Sequence, residues 1–149
     1  MVTRIVIGVA LVAVVLAVAA LLRRRRPAPP PRDAYPVPRQ LDRADFPRPD
    51  APWLVAYFSS TLCDSCRGLG AKVAVLASDG VSVCELDAAD RRDLHQRYEI
   101  SAIPMILIAD AEGVVRRAFV GATTATDLWA AVAELRAPGA TPEPDLGAL

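Results

Sequence analysis

The chain has 149 residues with 17 basic and 17 acidic side chains, room for one domain of ordinary size plus extensions. Its charge is unevenly placed: Arg4, Arg23 to Arg26 and Arg32 precede the first acidic residue, Asp33, and 11 basic against 17 acidic residues make up the rest. A body of that sign lacks the clustered Lys and Arg that nucleic acid requires, which excludes nucleic-acid binding.

Ile5 to Leu22 is an unbroken uncharged run, IVIGVALVAVVLAVAALL, about the length that spans a bilayer's hydrocarbon core. A cleaved secretory signal would have a shorter apolar region and a small-residue cleavage site before neutral sequence. Here four arginines follow at once and only Arg4 precedes. Residues 1–22 are therefore expected to form one retained N-terminal transmembrane helix. The positive-inside rule places the body after it in the cytoplasm, with the arginines against anionic lipid. Residues 23–38 are a basic and proline-rich linker. Its segment PAPPPRDAYPVP holds six prolines in twelve positions and reads as a semi-rigid spacer, at ~3.1 Å per residue roughly 35 Å long. Proline-rich segments also serve as ligands for aromatic grooves, but no further signal supports that here.

From Arg39 to Ala137 the pattern is that of a compact α/β domain. Trp53 to Phe58 is a continuous apolar run, the mark of a strand covered on both faces. After Cys63, Leu69, Val73 and Leu76 make a helical stripe that stops near Gly80. Residues 81–86, VSVCEL, read as a second strand, and DRRDLHQRYEI as a short charged helix. MILIAD, residues 105–110, is a third strand, turned by DAEG into VVRRAFV, residues 114–120, as a hairpin. Thr124 then caps a helix, with Asp127 three residues on as a near capping box and Leu128, Val132 and Leu135 as its apolar face. Residues 138–149 read as a loose tail.

Cys63 and Cys66 fall where the first strand turns into its helix. A helix N-terminus presents unpaired amides and the positive end of the dipole, and both favour a thiolate. Cys63 is then the nucleophile, and Cys66, one turn on, closes the disulfide and releases the mixed intermediate. Inert buried cysteines are the bland alternative, but the polar neighbours Thr61, Asp64, Ser65 and Arg67 suggest an exposed turn. A metal site needs about four ligands; Cys84 and His95 lack ligand-like spacing, and neither metal nor cofactor is expected. Cys84 reads as a small buried hydrophobe, His95 as solvent-facing, and Tyr98 and the two tryptophans as core or half-core residues.

The residues YFSSTLCDSCRGL, then LDAADRRDLHQRYEISAIPMILIADAEG, then VVRRAFVG resemble the thioredoxin family over about Leu41 to Arg136. The resemblance implies a thioredoxin-like α/β fold, a central mixed sheet flanked by helices. It implies a cis Ile103–Pro104 bond beside the cysteines, with Ile103 offering its backbone to an extended substrate. The departures matter as much. The family's usual Trp-Cys-Gly-Pro-Cys is here Leu62-Cys63-Asp64-Ser65-Cys66. Asp64 sets a negative charge between the thiols, and Ser65 lacks proline's rigidity. The family's buried acid falls on Tyr57, and the lysine that often pairs with it falls near Glu85.

Three functions follow as alternatives. The first is a membrane-tethered, monomeric thiol–disulfide oxidoreductase that reduces disulfides of proteins, including membrane proteins, and is recharged by an electron-donating reductase. The second is a non-catalytic thioredoxin-fold module that docks partners beside Pro104. The third is an extracytoplasmic protein of the cytochrome-maturation type, whose insertion the four arginines oppose. The intact cysteine pair favours catalysis over docking alone.

Overall fold

A computed structural model describes residues 35–139. The expected anchor, the linker up to residue 34 and the tail from residue 140 lie outside the described residues. Among the described residues no helix is long and apolar enough to cross a membrane.

Four strands carry the domain: β1, Trp53–Ser59; β2, Val81–Asp87; β3, Met105–Ala109; and β4, Val115–Val120. Three helices accompany them: α1, Leu69–Ala74; α2, Arg92–Arg97; and α3, Ala125–Arg136. The sheet order is β2-β1-β3-β4, with β1 and β2 parallel and the other pairings antiparallel, the mixed sheet that the resemblance implies. The central position of β1 explains its unbroken apolar run: from Leu54 to Ser59 every residue is buried, because strands flank it and helices cover both faces.

Alternation along β1 sorts its side chains onto two faces. Leu54, Ala56 and Phe58 join Leu41, Phe46, Leu86, Leu94, Met105 and Leu107 in one core. Val55 and Tyr57 join Leu69, Val73, Ile106, Ile108, Leu128 and Val132 in the other, under α1 and α3. Each large side chain so buried contributes about 1.5–3 kcal/mol relative to exposure.

The hairpin between β3 and β4 turns where the sequence places it, with the Gly113 amide donating to the Asp110 carbonyl at 3.0 Å. Gly113 sits at φ +80, and a Cβ there would lie 2.0 Å from the Leu41 carbonyl oxygen. Only glycine allows this approach, which lets Leu41 donate its amide to the Gly113 carbonyl at 2.8 Å. Thr124 caps α3 as expected, accepting from the Asp127 amide at 3.1 Å.

Four local readings are corrected. The stripe at Leu69, Val73 and Leu76 gives only six helical residues, and α1 ends at Ala74, well before Gly80. His95 is buried: α2 is so short that Leu94 and His95 are its buried pair. The His95 ring donates from Nε2 to the Leu86 carbonyl at 2.9 Å and meets Phe58 edge-on at 5.1 Å between centroids. Trp129 is 45% exposed, its indole nitrogen donating to the Lys72 carbonyl at 3.2 Å. Cys84 packs against the first core yet stays partly exposed, because β2 is an edge strand of the sheet. Burial still pushes its thiol pKa up, with Arg91 opposing and Glu85 adding to the rise.

The segment before β1 closes the first face. A 3-10 turn over Arg43–Asp45 is capped by Asp42, which accepts from the Ala44 amide at 3.0 Å. Arg43 is buried and donates to the carbonyls of Asp110, Ala51 and Arg48 at 2.7, 3.0 and 3.2 Å. Burial pushes its pKa down, against the attraction of Asp110 and Asp50. Nothing in the hydrophobic pattern signals this, since an arginine in a polar stretch reads as solvated.

Candidate redox site

The chain leaves β1 through Ser60 and Thr61 into the cysteine turn. Asp87, at the end of β2, holds that exit: one carboxylate oxygen accepts from the Thr61 amide at 2.8 Å and the other from the Ala89 amide at 2.8 Å. Cys63 and Cys66 are joined in a disulfide with Cα atoms 5.3 Å apart. Both cysteines are half-buried, whereas Leu62 beside them is 95% exposed.

The local backbone departs from the sequence expectation. Cys63 does not open an α-helix. It caps a 3-10 turn over Asp64–Cys66, with the Cys66 amide donating to the Cys63 carbonyl at 3.2 Å. Gly68, at φ +74, then breaks the path before α1 starts at Leu69. Ser65 in place of a proline leaves the turn without a residue preset for the first turn of an α-helix. The macrodipole invoked for Cys63 is thereby reduced to the amides of one short turn.

Asp64 is also placed differently from the expectation. Its carboxylate meets the Arg67 guanidinium at 2.8 Å, and the two side chains are 94% and 84% exposed. The charge between the cysteines is therefore met by a neighbouring cation and screened by water. Ser65 faces Cys63, with its hydroxyl 3.2 Å from Sγ. The Ile103–Pro104 bond is cis, as the resemblance implies. Pro104 is buried, and the Ile103 carbonyl lies 4.0 Å from Cys63 Sγ. All six residues expected at the site, Cys63, Asp64, Ser65, Cys66, Ile103 and Pro104, thus converge on one place.

Beneath the turn, Tyr57 stands where the family's buried acid falls. It is fully buried, and its hydroxyl donates to the Cys66 carbonyl at 3.3 Å. Burial, with Glu85 adding, pushes its pKa up to about 12, so the phenol stays neutral at physiological pH. Glu85 pairs with Tyr57 across the parallel strands and accepts from the Ser59 hydroxyl at 2.9 Å. Ser59, Glu85 and Asp87 line a cleft of about 190 Å³ together with Cys63 and Cys66. The sequence reading passed over all three as site residues. Period-two counting from Tyr57 and Glu85 would have put Ser59 and Asp87 at the same strand ends.

Cys84 belongs to the core opposite the one that Cys66 packs against. Among the described residues no group of three or more His, Cys, Asp or Glu is placed to hold a metal ion.

A mixed sheet, helices on both faces and a disulfide-linked pair on the turn leaving the central strand define the class of thiol–disulfide oxidoreductases at family level. The model of the Thioredoxin family matches residues 44–134, and the chain belongs to that family. Among solved structures, the chain is similar to the germline-specific thioredoxin Deadhead of Drosophila melanogaster. The identity is 24% and the TM-score 0.51, over 58% of this chain and 84% of that one. It is also similar to Fasciola hepatica thioredoxin, at 23% identity and TM-score 0.50, over 58% and 83%. A malarial protein matches at 14% identity and TM-score 0.50, over 56% and 96%. These likenesses concern the fold. No curated protein matches the chain.

Proposed function

We propose that this chain is a membrane-tethered thiol–disulfide oxidoreductase that reduces protein disulfides through Cys63 and Cys66. The carrying observation is the disulfide-linked pair on an exposed turn, with Cys63 Sγ against the Ile103 carbonyl. Residues 1–22 anchor it, 23–38 space the 39–137 domain from the bilayer, and 138–149 form a tail. The domain faces the cytoplasm, where thiol pools favour the reducing direction. Substrates are protein disulfides, membrane proteins among them, with a reductase as electron donor and the enzyme acting as a monomer.

Cys63 is the attacking thiol. Its sulfur faces Ser65 and Ile103, whereas Cys66 packs against the core beneath the turn. A Cys66→Ala chain should therefore accumulate mixed disulfides with partners, resolved by reductant, while Cys63→Ala should not. Protease added to sealed, right-side-out vesicles should leave the domain intact. If Cys63→Ala traps partners instead, the roles are reversed; digestion of the domain from outside would overturn the cytoplasmic assignment.

A further inference from the structure

When Cys66 attacks a mixed disulfide its thiol must give up a proton, since an ordinary thiol is mostly protonated at neutral pH. The cleft of about 190 Å³ beside Cys66 has room for several waters at ~30 Å³ each, and a proton can cross through one. Two carboxylates line that cleft. Asp87 is committed, because each of its oxygens accepts from a backbone amide, Thr61 on one and Ala89 on the other. Tyr57 is a donor to the Cys66 carbonyl and stays protonated. Glu85 differs from both. One of its oxygens accepts from Ser59 at 2.9 Å, and the other lies against Gly70, where a Cβ would stand 3.0 Å away. That second oxygen has no hydrogen-bond donor among the described residues. The absence of a side chain at Gly70 leaves it space.

We propose that Glu85 is the proton acceptor for Cys66, reached across this cleft. The inference rests on the thiol–disulfide reading of the site. The groups that face Glu85 are Asp87 from β2, Tyr57 from β1 and Arg67 from the cysteine turn; α1 presents Gly70, and Cys84, its neighbour in the strand, lies on the opposite face. In the reducing direction the Cys63 thiolate attacks one substrate sulfur, forming the mixed disulfide and expelling the first substrate thiolate. Glu85 then takes the Cys66 proton, and the Cys66 thiolate attacks Cys63 Sγ. The Cys63–Cys66 disulfide forms, the bond from Cys63 to substrate breaks, and the second substrate thiolate takes up the proton from Glu85. The substrate disulfide gains two electrons and the cysteine pair loses two.

The test uses the full chain in detergent micelles, reduced and then mixed with glutathione disulfide as the probe. Acid quenching and mass spectrometry follow the mixed disulfide on Cys63. In Glu85→Gln its resolution should slow at least about tenfold near neutral pH, less than the roughly 10²–10⁴-fold a general base typically supplies because water in the exposed cleft takes up part of the role. The deficit should shrink toward alkaline pH as the thiol ionises unaided. Formation of the mixed disulfide should stay within about twofold of the native chain. Glu85→Asp should recover part of the resolution rate. Resolution in Glu85→Gln within about twofold of native at every pH would overturn the proposal, as would equal slowing of formation and resolution. A native chain that forms no mixed disulfide at all would instead overturn the thiol–disulfide reading itself.

Discussion

On one face of the sheet Phe58 is ringed by His95 and Tyr98, with centroid distances of 5.1 and 6.4 Å, and the segment before β1 closes over it. On the other face Tyr57, one residue earlier in the same strand, lies beneath the cysteine turn, its hydroxyl on the Cys66 carbonyl. Both side chains are fully buried, so burial does not separate them. Their surroundings do. The first face turns its buried polar side chains onto backbone: His95 bonds Leu86, and Arg43 reaches three carbonyls while its Nε stays without a partner among the described residues. The second leaves a cleft open to the redox pair, with Glu85 and Asp87 on its wall. One strand thus packs into a closed core on one side and into the core beneath the cysteine turn on the other, by alternation of its side chains.

The largest expected effect breaks the sealed face. Phe58→Ala removes a ring from a packed core and should lower stability by about 3–5 kcal/mol in urea unfolding, with little change in disulfide exchange by the folded fraction. A comparable loss of exchange rate per folded molecule would mean that the two faces are coupled.

A second effect separates the faces by pH. Burial and Glu85 raise the Tyr57 pKa, and burial and the Asp45 hydrogen bond raise that of Tyr98, each to about 12. An unfolded tyrosine titrates near 10. The stability each phenol contributes is therefore fully present below about pH 10 and fades as pH rises through about 12. Tyr57→Phe and Tyr98→Phe should each remove part of that alkaline loss. If the faces are independent, the double variant should match the sum within about 0.5 kcal/mol, measured by chemical unfolding between pH 9 and about 12.

The smallest effect concerns the exposed turn. With Arg67 beside Asp64, their charges largely offset at Cys63. Asp64→Asn should speed alkylation of reduced Cys63 about two- to fivefold, and Arg67→Gln should slow it by a similar factor. The double variant should return close to the native rate, with stability unchanged. Equal rates in all three would show that neither charge reaches the thiol.

Much of the fold was legible in the chain. The run from Trp53 to Phe58, the hairpin at Asp110–Gly113 and the cap at Thr124 are local patterns, set by side-chain period and turn chemistry within a few residues. The cysteine pair was legible as a short motif with a chemical meaning at fixed spacing, whereas the cis Ile103–Pro104 step was implied by the resemblance to the thioredoxin family. His95, Arg43 and Glu85 were not. His95 lies in a short helix rich in charge, and its partner, the Leu86 carbonyl, lies nine residues away. Arg43 takes the Asp110 carbonyl 67 positions on, and Glu85 takes Ser59 26 positions back. A polar side chain is solvated or buried according to which acceptors the folded chain carries to it, and no local pattern records that. The sequence by itself determined which segments become the strands and which two cysteines share the turn that leaves the first of them. Tertiary structure alone decided which polar groups stand beside them, because sheet register and the crossing of chain segments bring those groups together from afar.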